Sequence, residues 1–232
     1  ASRENPHISV DALTELTHDM TARAILQEIE ALDLEDVPGA LWTIDTIDKG
    51  RLFEAPPDLD RIVTAIDPSA SSKDSSDEAG IVVAGRKGKH GYVLADETVR
   101  GTPLEWAKRA ISAHKMWSGD RIVGEGNNGG EMVEAVLRSV DADIPYTMVF
   151  ATRGKTTRAE PVSANYEQGR IHHVGHFSLL EEEMTGWIPG EGKSPNRVDA
   201  LVWAMNELGL IDNMEAYGEP VYAEPITIDS SY

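Results

Sequence analysis

The chain contains no cysteine. Disulfides and thiolate metal sites are therefore excluded, which suits a reducing compartment. No apolar run approaches the ~18 residues that a membrane-spanning helix needs, so no membrane partner is expected. The N-terminus is polar and acidic, without a signal-peptide pattern. Basic residues are scarce: 21 Lys and Arg stand against 40 Asp and Glu, a formal net charge of −19. Taken whole, that balance argues against a nucleic-acid binder, which carries a basic footprint. The G-x-x-x-x-G-K-S/T phosphate loop is missing, since Val149 and Trp187 stand where its first Gly would precede "GKT" and "GKS", so no ATPase motor is expected in the chain. A G-x-S-x-G elbow and a dinucleotide fingerprint are missing too. Zinc is disfavoured, because no Cys is present and the one His pair four residues apart, His172 and His176, starts in the expected strand "RIHHV" rather than in a helix.

The charge that is present is unevenly spread. Residues 1–60 carry 14 acids and 4 bases, and residues 211–232 carry 5 acids and no base. The stretch 61–210 is nearly balanced, with 21 acids and 17 bases. It is also the part that reads as a folded domain. Residues 1–60 show one helical stripe (Leu13, Leu16, Met20, Ile25, Leu26, Ile29), a Pro-Gly turn and a short amphipathic segment, then the extended "FEAPPDLD". They read as a tail that packs onto something. Residues 211–232 are acidic and Pro-spaced, the composition of a disordered tail.

Within 61–210 the spacing predicts strands at 61–67, 79–85 and 91–97, joined by short turns. A helix follows at "TPLEWAKRAISAHKMW", with Thr102 as N-cap and Pro103 at its first position. Strands are expected at 121–125, 146–151 and "RIHHV", and helices at "GGEMVEAVLRSV", 157–168 and 178–186. The last helix, "SPNRVDALVWAMNELGL", is expected to be capped by Ser194 with Pro195 at its first position. Three strands in a meander, then strands alternating with helices, imply a mixed α/β sheet with parallel pairing in its later part and helices on both faces. The tryptophans at 42, 106, 117, 187 and 203 read as packing residues.

Three acids occupy comparable places. Asp67 ends the first strand, Glu125 ends "RIVGE", and Asp199 lies near the start of the last helix among Val198, Leu201, Val202 and Met205. If the strands at 61–67 and 121–125 are neighbours, Asp67 and Glu125 emerge at one sheet edge, where sites form in open α/β sheets. Each acid alone has a plain reading: an Asx turn at Asp67, a strand-end charge at Glu125, a first-turn acid at Asp199. Together they would repel, and burial would raise their pKa values. A divalent cation resolves both costs, and oxygen-only ligands suit Mg²⁺ or Mn²⁺. Two such ions support phosphodiester cleavage. Arg153, Lys155, Arg158 and Arg170 form a basic stretch, and Lys87 and Lys89 sit at a hairpin tip. These are the candidates for holding a DNA backbone.

The strand order and the Asp…Glu…Asp set resemble the RNase H-like nucleases. The stretches "AIDPSASS", "DEAGIVVAG", "GEGNNGGEMV", "KTTRAEPVSANYEQGRIHHVG" and "LEEEMTGWIPGEGKSPNRVDALVWAMNEL" resemble the C-terminal nuclease domain of a tailed-phage or prophage large terminase subunit. "ENPHISVDALTEL" and "LEDVPGALWT" resemble the segment that links the terminase ATPase to that nuclease. The resemblance implies an RNase H-like fold over 61–210, a linker over 1–60 from an ATPase domain not included here, and a metal-dependent DNA endonuclease. Such an enzyme cuts concatemeric viral DNA during genome packaging in the cytoplasm of the bacterial host. The implied partners are double-stranded DNA and, for the full subunit, the portal protein and the small terminase subunit. Asp67, Glu125 and Asp199 match the metal-binding acids. Some members add a ligand three residues before the last Asp, where this chain has Asn196. Asp77 and Glu78 fall where outer-shell acids are expected. Two other readings stay open: a different RNase H-like nuclease such as a resolvase, and a non-catalytic module that docks DNA or the portal.

Overall fold

The computed structural model describes residues 37–68, 78–127, 130–151, 154–192 and 195–211. The helical stripe at 13–29, Asp77, Arg153, Ser194 and the acidic tail after 211 lie outside the described residues. A short helix, α1 (Ile44–Lys49), precedes the strands β1 (Arg61–Pro68), β2 (Glu78–Lys87), β3 (His90–Asp96) and β4 (Val99–Arg100). Then come α2 (Pro103–Met116), β5 (Arg121–Glu125), α3 (Gly130–Val140), β6 (Tyr146–Val149) and α4 (Lys155–Glu167). The described chain closes with β7 (Ile171–His173), α5 (Ser178–Gly186) and α6 (Asn196–Glu207).

The strands form one seven-stranded mixed sheet in the order β6-β5-β1-β2-β3-β7, with β4 paired to β2. β1, β2 and β3 pair antiparallel, as the short connections require. The strands fed by helices pair parallel: β5 with β1, β6 with β5, and β7 with β3. The antiparallel meander followed by parallel strands is thus the architecture that the sequence order implies. The two-residue β4 and the pairing of β7 with β3 were not foreseen.

In β1 the four residues Val63–Ile66 are all buried, because both faces of the sheet are covered. Val63 and Ala65 point one way, with Val82, Ala84, Val93 and Val123, into a core shared with α4, α5 and α6. Ile66, Ile81 and Ile122 point the other way, against Trp106, Ala110 and Ile111 of α2 and Val133 and Leu137 of α3. The helix α6 is apolar nearly all round, and every residue from Arg197 to Met205 is buried. That is the signature of a central helix rather than a surface one. The start of α2 is set by Thr102, whose backbone N–H donates to Glu105 Oε2 at 2.7 Å, half of a capping box.

Three element ends differ from expectation. The N-cap of α6 is Pro195, not Ser194, and the first helical residue is Asn196. Proline's φ suits either position, and here its ψ of 143° keeps it outside the helix. The helix α4 begins at Lys155 rather than near 157, because Gly154 serves as its N-cap. β6 ends at Val149 rather than at 151.

The segment before β1 packs onto the sheet-and-helix body. Trp42 and Ile47 are each 1% exposed and belong to the α6-side core. Trp42 stacks on Trp187 with centroids 6.3 Å apart and meets Tyr166 edge-on at 6.4 Å. Arg51 donates to both oxygens of Glu181, at 2.7 and 3.1 Å. Glu181 Oε1 also accepts from His173 Nδ1 at 2.8 Å, and Tyr166 meets His173 Nε2 at 2.8 Å. Burial pushes the Glu181 carboxyl up, but the hydrogen bonds from His173 and Arg51 outweigh it and hold it at about 2.

Candidate active site

Strand parity decides where the acids point. Successive side chains alternate across a sheet, so Asp67 shares the face of Val63 and Ala65. That is the face covered by α6. By the same rule Glu125 shares the face of Val123, also on the α6 side. Ile66 lies opposite Gly124 in the parallel register, so Asp67 and Glu125 follow as neighbours at one sheet edge. The turn after Glu125 is fixed by Gly126, whose N–H donates to Val149 O at 2.7 Å. Asn127 reinforces it, exchanging two hydrogen bonds of 2.9 Å with the Ala151 backbone.

The third acid arrives from α6. Gly80 lies opposite Asp67 across the β1–β2 pair. A Cβ at Gly80 would come within 2.1 Å of the Asn196 carbonyl oxygen, so the first turn of α6 rests directly on the strand backbone. Asp199, in that turn, is 5% exposed. Two neighbours anchor the turn. The Asn196 amide donates to Glu78 O at 2.7 Å. Arg197 reaches Glu78 at 2.7 Å, Asp96 at 3.0 Å and Glu183 at 2.6 Å. Glu78 is therefore an ion-pair partner of Arg197.

Charge crowding shows in Asp67. Its carboxyl is pushed up to about 7, mainly by burial and then by Asp199, with Glu125 adding to the effect and Lys155 and Arg158 opposing it. The two cations come from one face of α4, three residues apart. Lys155 Nζ is ion-paired and hydrogen-bonded to Asp199 Oδ2. Arg158 Nη2 stands 3.8 Å from Glu125 Oε2. Arg158 is 3% exposed, and its guanidinium carbon lies 4.3 Å above the Trp203 ring. Its buried Nε has no hydrogen-bond partner among the described residues.

The structure thus groups Asp67, Glu125 and Asp199 with Lys155 and Arg158. It does not bring Lys87, Lys89 and Arg170 there. Lys87 lies opposite His90 at the far end of β2, where the Arg170 carbonyl accepts from Gly91 N–H. Seven strand steps separate Lys87 from Gly80, about 24 Å at ~3.4 Å per residue. Asn196 serves as an anchor for α6, bonded to backbone. Sequence reasoning passed over Arg197 and Asn127. The one signal for Arg197 was a base inside an otherwise apolar helix.

Among the described residues, no three His, Asp or Glu side chains are gathered tightly enough to hold a metal ion as they stand. The donor chemistry nonetheless fits one. The cluster is all oxygen, one member is crowded by like charge, and two members already lean on cationic side chains. Oxygen ligands of this kind suit Mg²⁺ or Mn²⁺ rather than zinc.

A mixed sheet of this order with acids at one edge of its central strands defines the RNase H-like class. The profile of the family described as the terminase RNaseH-like domain matches residues 64–208. The chain belongs to that family. Among solved structures, the inhibitor-bound, Mn-soaked terminase nuclease domain of human cytomegalovirus aligns with a TM-score of 0.55 at 15% identity, covering 72% of this chain and 95% of that one. The large terminase nuclease of thermophilic phage G20c aligns at 0.52 and 13% identity, covering 73% and 98%. The ADP complex of the large terminase from another thermophilic bacteriophage aligns at 0.55 and 11% identity, covering 90% of this chain and 52% of that one. The chain therefore spans about half the length of that large terminase. A sequence comparison with curated proteins gave no significant match. No helix among the described residues is long and apolar enough to cross a membrane.

Proposed function

We propose that this chain is a metal-dependent DNA endonuclease domain of a large terminase subunit, cutting concatemeric viral DNA during genome packaging. The observation that carries the reading is the convergence of Asp67, Glu125 and Asp199 beside one sheet edge, with Asp67 pushed to about 7. Asp67, Glu125 and Asp199 would hold the metal. Bound Mg²⁺ or Mn²⁺, as one ion or a pair, supplies Lewis-acid polarisation of the phosphodiester and a more acidic water. The chain's own residues do the rest. Asp67 releases its proton to serve as a ligand. Arg158, pinned on Trp203 and short of hydrogen bonds, offers donors to a phosphate at the edge of the cluster. Asn196 and Arg197 keep the first turn of α6, and so Asp199, against β2 and beside Asp67.

Two terminase nucleases with like folds support the metal, one Mn-soaked and one with bound magnesium. The family match supports DNA as substrate and a terminase setting; the reading places it on double-stranded DNA in the cytoplasm of a bacterial host. In that setting the full subunit's partners are the portal protein and the small terminase subunit. Arg153, Lys155 and Arg158 lie in sequence where they can track the DNA backbone near the cut. Lys87, Lys89 and Arg170 would have to meet DNA at the far end of the sheet.

The test is plasmid cleavage by the chain in EDTA, Mg²⁺ or Mn²⁺, beside Asp67→Ala and Asp199→Ala. Metal-dependent nicking and linearisation, absent from both variants, is expected. Cutting that survives in a clean Asp67→Ala preparation overturns the assignment. Absence of both cutting and metal binding in the wild type points instead to a docking module.

A further inference from the structure

Lys155 and Arg158 meet the acidic cluster in different ways. Arg158 is 3% exposed, clamped over Trp203, and its contact with Glu125 is long at 3.8 Å. It cannot leave without opening the core. The Lys155 side chain is 41% exposed while its partner Asp199 is only 6% exposed. Lys155 is the first residue of α4, so no earlier helical turn covers its stem. Its ammonium therefore sits on a buried carboxylate at the end of a flexible stem that is free to swing into solvent.

We propose that Lys155 is a built-in counter-ion that competes with a divalent cation for Asp199. This rests on the metal-nuclease reading above. Lys155 Nζ bonds Asp199 Oδ2, one of the oxygens a metal in this cluster would take. A divalent cation on Asp199 would stand within a few ångströms of the ammonium and repel it, so metal entry displaces the lysine. The displaced ammonium stays tethered one helical turn from Arg158, at the mouth of the site, where a phosphate of bound DNA is its next partner. Metal binding thereby exchanges an internal ion pair for an outward-facing cation. The acids stay neutralised before loading, and the site gains a phosphate contact on loading.

The test uses the whole chain and reads metal binding rather than cutting. Mn²⁺ is titrated calorimetrically into the wild type, Lys155→Met and Lys155→Arg, with folding checked by circular dichroism. Lys155→Met keeps the apolar stem and is expected to bind Mn²⁺ at least about fivefold more tightly, the low end of ordinary coupling between sites. Lys155→Arg should stay near the wild type. On the wild type itself, amine-reactive labelling of Lys155, read by mass spectrometry, should rise on adding Mg²⁺ while other lysines stay unchanged. Equal or weaker Mn²⁺ binding by Lys155→Met, or labelling of Lys155 that ignores Mg²⁺, overturns the competition and leaves the nuclease reading standing. No Mn²⁺ bound by the wild type or by Lys155→Met overturns both.

Discussion

Asp67 holds a proton that an ordinary aspartate would have lost. Its folded pKa is raised to about 7 from an ordinary value of 3.8, so the folded chain binds that proton more tightly than the unfolded one. The stabilisation is full below the unfolded pKa and is lost as pH rises through about 7. In EDTA, urea stability of the wild type should therefore fall between pH 4 and 8 by an amount on the order of a few kcal/mol. Asp67→Asn should lack that part of the fall and be at least as stable as the wild type at pH 8. Matching pH profiles for the two proteins would show that the carboxyl is not strained. The grouping of the three acids was legible in the sequence because each sits where an apolar element ends or turns inward, and the three places together outweigh the plain reading each has alone. Arg197 and Arg158 were not legible in these roles. A base in a helix gives no hint that its acids lie 101 and 119 residues away, as Asp96 and Glu78 do for Arg197.

At the level of elements, the site depends on how closely α6 lies on β2. Gly80 is the point of contact, and the clashing atom is a backbone carbonyl that cannot rotate aside. Gly80→Val should lift the first turn of α6, at a cost of about 1–3 kcal/mol or more from overpacking. Because Asp199 rides on that turn, metal affinity should fall along with the melting temperature. A variant that loses stability but keeps wild-type Mn²⁺ affinity would mean that the turn does not carry the ligand. The elements themselves were readable where period and caps agreed, as in α2 with its Thr102–Glu105 cap. They were misread where glycine or proline blurs an end. The early start of α4 mattered most, since it moves Lys155 from a loop onto the helix face it shares with Arg158.

The whole molecule joins a body that was legible to a segment whose packing was legible but whose partners were not. The sequence of 1–60 reads as a linker that packs onto something, with Trp42 as a packing residue. Composition cannot show that Trp42 fills a place between Trp187 and Tyr166, which belong to elements more than a hundred residues further on. Trp42→Ala should remove that filling at about 3–5 kcal/mol. In a chain of this size each kcal/mol moves the melting point by roughly 2–4 °C, so a drop of about 10 °C is expected. Unchanged melting would mean that 37–60 is a passenger.

Charge also acts at this scale. The chain is strongly acidic, and only two described bases, Lys155 and Arg158, stand at the acidic cluster. If DNA is held chiefly there, about two phosphates are neutralised. The slope of log K against log salt should then be shallow, about −1.8 at ~0.9 per phosphate. Measured by fluorescence anisotropy on a short duplex, with Ca²⁺ in place of Mg²⁺, the slope should flatten by about 0.9 in Lys155→Met. A steep slope that ignores Lys155 but responds to Lys87→Ala or Lys89→Ala would move the DNA to the far end of the sheet.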